Sequence, residues 1–102
     1  MNGPPDIALG PTQGQLVRHL IDRVLPGATV AVFGSRATGR ERRFSDLDLL
    51  LIDPPQLSWT QRADLRDAFD ASELPFKVDV VELDSLTAGV ADRVRGEARP
   101  LS

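Results

Sequence analysis

At 102 residues, with 41% hydrophobic and 26% charged side chains, the chain has the makeup of an ordinary soluble globular protein with room for one core. A formal net charge of −3 argues against broad, sequence-independent DNA binding, and the lack of cysteine excludes a disulfide scaffold, a thiolate zinc site and a cysteine nucleophile. No apolar run reaches the length of a membrane-spanning helix, and the opening residues lack the basic-then-apolar order of a signal peptide, so a cytoplasmic protein is expected.

Residues 1–11, rich in Gly and Pro, are expected to form a loose tail ahead of one domain over residues 12–102. Residues 12–25 carry Leu16, Val17, Leu20, Ile21, Val24 and Leu25 at helical spacing, with Thr12 and Gln15 as a capping pair and Pro26-Gly27 as the stop. His19 falls on the surface of that helix. Residues 28–33 read as a buried strand, 34–45 as a polar connection, and 46–52 as a second strand closed by Asp53-Pro54-Pro55. Ser58 and Gln61 form a capping pair for a second helix whose buried side is expected to hold Trp59, Ala63, Leu65, Ala68 and Phe69. Residues 76–83 read as a third strand. Asp84 or Ser85 is expected to cap a last helix running through Leu86, Val90 and Val94 to a stop at Gly96. Residues 97–102 suit either an edge strand or a frayed end. The alternation predicts an α/β (α+β) domain, a small mixed sheet flanked by helices.

The chemistry concentrates in residues 34–49. Asp46 and Asp48 stand two apart at a strand start, so the strand period places both carboxylates on one face, with Leu47, Leu49 and Leu51 on the other. Two such carboxylates repel each other, and their oxygens suit Mg²⁺; a pair of solvated aspartates at a strand edge would read the same way. Gly34 and Ser35 follow the first strand directly, where a glycine lets backbone approach a ligand and N–H groups can receive an anion. The guanidinium of Arg36 is a further phosphate candidate, and Arg40, Arg42 and Arg43 crowd the same connection. Asp79 interrupts the apolar third strand, where a buried charge is costly unless paired or bound to metal; taken alone, the position reads more readily as an edge-strand aspartate facing water.

The order strand, Gly34-Ser35, strand with Asp46-x-Asp48, helix, strand with Asp79 resembles the nucleotidyltransferase family of DNA polymerase β-like fold. It is most similar to the minimal nucleotidyltransferases that pair with HEPN proteins in prokaryotes. Ala37, Gly39, Ser45 and Leu49 fill the longer form G-S-x-A-x-G…S-D-x-D-L. The resemblance implies that Asp46 and Asp48 bind two Mg²⁺ ions, that Asp79 completes the site, and that Gly34, Ser35 and Arg36 hold the triphosphate of ATP. It further implies an antitoxin that transfers AMP to a tyrosine of a HEPN-domain toxin within a hetero-oligomer. The chain has no tyrosine, so that acceptor lies on another chain. Two alternatives stand beside this reading: an antitoxin that acts by docking alone, and the catalytic subunit of an enzyme for small molecules or RNA ends.

Overall fold

The computed structural model describes residues 9–42 and 44–101. Most of the expected tail (residues 1–8), Arg43 and Ser102 lie outside the described residues.

Helix α1 (Pro11–Val24) starts earlier than residue 12. Pro11 takes the first helical position, where its fixed φ and missing N–H carry no cost. The Gly10 N–H donates to Gln13 Oε1 at 3.2 Å, so Gln13 closes the first turn in place of the expected Thr12–Gln15 pair. Val17, Leu20 and Ile21 form the buried stripe, and His19 is exposed.

Strand β1 (Thr29–Phe33) pairs antiparallel with β2 (Leu47–Asp53), and β2 pairs parallel with β3 (Val78–Glu82). A parallel pair needs a crossover, which α3 (Trp59–Asp70) supplies after the short helix α2 (Ser35–Thr38) and β2. The final strand, β4 (Arg99–Pro100), lies antiparallel to β1 and answers the open question about the last residues. The resulting mixed sheet has the order β3-β2-β1-β4.

Alternation along the strands divides the sheet into two chemically different faces. Val30, Val32, Leu47, Leu49 and Leu51 join Val17, Leu20, Ile21, Leu65 and Phe69 in one apolar core beneath α1 and α3. Leu47, Leu49 and Leu51 are at most 1% exposed, as the strand period requires. The other face carries the paired Ala31 and Leu50, then Phe33 opposite Asp48.

Helix α3 keeps the Ser58–Gln61 capping box: the Gln61 N–H donates to Ser58 Oγ at 3.1 Å, and the Ser58 N–H to Gln61 Oε1 at 2.9 Å. Its buried side differs from expectation. Leu65 and Phe69 are buried, but Ala63 is exposed and Trp59 is 86% exposed. Trp59 and Ala63 stand one helical turn apart, and Ala63 lies roughly 160° around the helix from Leu65, so both miss the stripe that meets the core.

After β3, Leu83–Ser85 form a single 3₁₀ turn, and α4 (Ala88–Glu97) begins at Thr87 instead of Asp84 or Ser85. Gly96 lies inside its last turn and does not terminate it.

Candidate active site

The β2–β3 register decides the site. Asp48 and Asp79 are direct partners across the parallel pair, so their side chains leave the same face of the sheet. Asp46, two residues before Asp48, lies just outside β2 and is exposed. Asp48 is half-buried, and its carboxyl is pushed above the ordinary aspartate range. Burial is the largest cause, followed by the negative charges of Asp79, Asp46 and Glu97. All three expected aspartates therefore act on one electrostatic locality. Asp79 has a partner of its own in Lys77, whose Nζ lies 3.8 Å from its Oδ1. Both groups are well exposed, which makes this a weak, screened pair. Among the described residues, no three Asp, Glu, His or Cys side chains are drawn together closely enough to hold a metal ion as they stand.

Gly34 forms the floor beside these carboxylates. It has φ +74°, and a Cβ added there would collide with the Asp48 carboxylate. Glycine is thus required twice, for its positive-φ backbone and for the approach of Asp48. The Gly34 carbonyl accepts from the N–H groups of Ala37 and Thr38, starting α2 with Ser35 in its first turn. The strand end, the bend and the helix start follow one another within three residues, so the connection expected over residues 34–45 contains the short helix α2.

Arg36, expected at the triphosphate, is packed into the connection between β1 and β2. It is 6% exposed, and its Nε and Nη2 donate to the Ser45 carbonyl at 3.1 and 2.9 Å. Its guanidinium carbon lies 4.2 Å from the centre of the Phe76 ring. One side chain thereby joins the Gly34-Ser35 bend to the residue before Asp46 and to the segment leading into Asp79. The Arg42 N–H donates to Ser45 Oγ at 2.6 Å and tightens the same connection. Arg40, Arg42 and Phe44 are exposed around it.

Glu97 escaped the sequence reading. Its Oε1 accepts the Gly34 N–H at 3.0 Å. The available signal was a carboxylate in the last turn of a helix, an end that favours positive charge. Glu82 was also missed. It takes a bidentate pair from Arg62 at 2.9 and 3.0 Å and the Leu57 N–H at 2.7 Å, fastening the end of β3 to the start of α3.

Two alternate aspartates at the start of one strand, one just before it and one within it, a parallel neighbour bearing a third, and a glycine-serine bend at their base match a known pattern. Residues 25–101 fit the family described as polymerase β nucleotidyltransferase. The chain belongs to the polymerase β-type nucleotidyltransferases. Among relatives of this nucleotidyltransferase, a Haemophilus influenzae protein named "Probable protein adenylyltransferase MntA" is 37% identical over 67 residues. That match takes in 66% of this chain and 59% of the relative, so the chain spans about three fifths of the relative's length. A solved structure described as a minimal nucleotidyltransferase superposes with a TM-score of 0.67 at 34% identity, covering 88% of this chain and 90% of the other. A toxin–antitoxin crystal structure with AMP-PNP superposes with a TM-score of 0.70 at 26% identity, covering 87% of this chain and 72% of that one. The expected nucleotidyltransferase fold is the observed one.

Proposed function

We propose that this nucleotidyltransferase is an antitoxin that transfers AMP from ATP to a tyrosine hydroxyl of a HEPN-domain toxin. The observation that carries the reading is the Asp48–Asp79 pairing beside the Gly34 bend. The naming of the Haemophilus relative as an adenylyltransferase supports it, as does the toxin–antitoxin neighbour with AMP-PNP. The absence of tyrosine in this chain directs the transfer outward.

The donor set suits magnesium. Asp48 and Asp79 on adjacent strands and Asp46 just before β2 supply hard oxygen ligands, and the Asp48 carboxyl is raised by burial first and by the neighbouring negative charges next, which a cation would relieve. Asp46, Asp48 and Asp79 would hold two Mg²⁺ ions, which neutralise charge on the attacking and leaving oxygens when bound. Gly34 and Ser35 receive the β- and γ-phosphates through backbone N–H and hydroxyl donors. Arg36 contributes by holding that bend at a fixed distance from Asp46 and Asp48. In the reaction the partner's phenolic oxygen forms a bond to the α-phosphorus, and the bond from that phosphorus to the α–β bridging oxygen breaks. Pyrophosphate leaves, and the phenolic proton passes to Asp79 and then to water. β3 is the outer strand of the sheet, so the acceptor has an open approach to Asp79.

The test is co-expression with the HEPN protein followed by intact-mass measurement. Wild type adds the mass of AMP to the partner, and Asp46→Asn with Asp48→Asn does not. Full neutralisation of the toxin by that double variant would replace catalysis with docking. Label from ATP appearing on a metabolite or an RNA end, and on no protein, would reject the protein acceptor.

A further inference from the structure

The Gly34 N–H, one of the donors assigned above to the triphosphate, is taken by a carboxylate from the far end of the chain. Glu97 Oε1 accepts it at 3.0 Å across 63 positions of sequence. Glu97 is the last residue of α4, where the helix dipole disfavours negative charge. It also adds its charge to the field of Asp79 and Asp46 around Asp48. Two unfavourable electrostatic effects therefore meet at this side chain, and the bond to Gly34 offsets them. A carboxylate oxygen and a phosphate oxygen make the same demand on a backbone N–H: one charge-assisted hydrogen bond at the same distance.

We propose that Glu97 is an internal competitor for nucleotide, seated on the Gly34 N–H that a triphosphate oxygen takes, so that binding requires its withdrawal. The inference rests on the reading of Gly34-Ser35 as the triphosphate bend. Withdrawal involves a defined joint. Ala98 links Glu97 to β4, whose Arg99 and Pro100 pair with Val32 and Ala31, so the end of α4 moves against a strand anchored beside the same bend. Glu97 thereby sets the affinity for triphosphate without serving as a ligand to it.

The experiment is calorimetric titration of the full chain with ATP and magnesium, and separately with adenosine, for wild type, Glu97→Gln, Glu97→Ala and Ser35→Ala, each verified by thermal melting. Loss of a competing hydrogen bond and its charge is expected to tighten ATP binding about three- to tenfold in Glu97→Ala, with Glu97→Gln between it and wild type. Adenosine, which brings no phosphate, binds all of them alike. Unchanged or weaker ATP binding by folded Glu97→Ala overturns the inference and makes Glu97 a brace for the bend; if that variant does not fold, Glu97→Gln decides on the same criterion. If Ser35→Ala weakens ATP binding while the Glu97 variants match wild type, the triphosphate reading stands and the competitor is rejected. If ATP binds no folded variant, wild type included, both fail together.

Discussion

Asp48 on β2 and Asp79 on β3 face each other across a parallel register, two like charges placed side by side, with Lys77 pairing Asp79 at 3.8 Å among the described residues. A sheet optimised for stability would put an apolar or oppositely charged pair there. The unfavourable pair lies on the sheet face opposite the α1–α3 core, next to a glycine whose missing Cβ makes room for it.

Asp48→Asn is expected to stabilise the protein while abolishing nucleotidyl transfer. The folded-state carboxyl is raised by burial first and by Asp79, Asp46 and Glu97 next. Ionisation therefore costs more in the fold than in the unfolded chain. That cost is absent below the usual aspartate range, and stability falls as pH rises through the raised folded value. Removing the charge should add about 0.5–1 kcal/mol at neutral pH after allowance for solvent screening. Melting curves of variant and wild type should converge on acidification and separate at pH 7.

Arg36→Ala should cost about 2–3 kcal/mol, because it leaves the Ser45 carbonyl without its donors and strips the cation from the Phe76 ring. Arg36→Lys keeps the charge but loses the planar fork, and should recover only part of the loss. Urea unfolding gives the stabilities. Transfer by the folded Lys variant should fall mainly in kcat, since misplacing Asp46 and Asp48 relative to the bend affects geometry more than capture.

Gly34→Ala and Gly39→Ala should differ in both backbone strain and contact. Both glycines have positive φ, but Gly39 (φ +78°, ψ 14°) is left-handed helical, where an alanine incurs about 1–2 kcal/mol, whereas Gly34 (φ +74°, ψ −153°) lies in a region essentially reserved for glycine, where the strain is larger. Only at Gly34 does the new Cβ also strike the Asp48 carboxylate; at Gly39 nothing lies within 4 Å. Gly34→Ala should therefore be the more destabilised by denaturant midpoint and should lose transfer, whereas folded Gly39→Ala retains it.

Glu82→Gln should lose about 1–2 kcal/mol at pH 7, because the Arg62 fork and the Leu57 N–H both bind the charged carboxylate. The Arg62 hydrogen bond, ahead of the Leu57 N–H, holds the Glu82 carboxyl below the ordinary glutamate range. Its stabilisation is full above the unfolded value near 4.3 and is lost as pH falls through the lower folded value. Thermal melting across that window should bring the two proteins together at the acid end.

The two faces of β2 follow from residue order alone. Alternation is a property of the extended backbone, so Asp48 had to oppose Leu47, Leu49 and Leu51 wherever the strand lay. The Gly34-Ser35 bend and the Ser58–Gln61 cap were legible for the same reason, since each is closed by residues a few positions apart.

Tertiary structure decided what meets across distance. The parallel placement of β3 set Asp79 beside Asp48, and the return of α4 and β4 along β1 carried Glu97 to Gly34. The seating of α3 on Leu65 and Phe69 left Trp59 outside, and the Ser45 carbonyl with the Phe76 ring enclosed Arg36. Local periodicity fixes the side of an element on which a residue stands. Only the arrangement of elements fixes its neighbours, and charge, burial and hydrogen bonding depend on those neighbours.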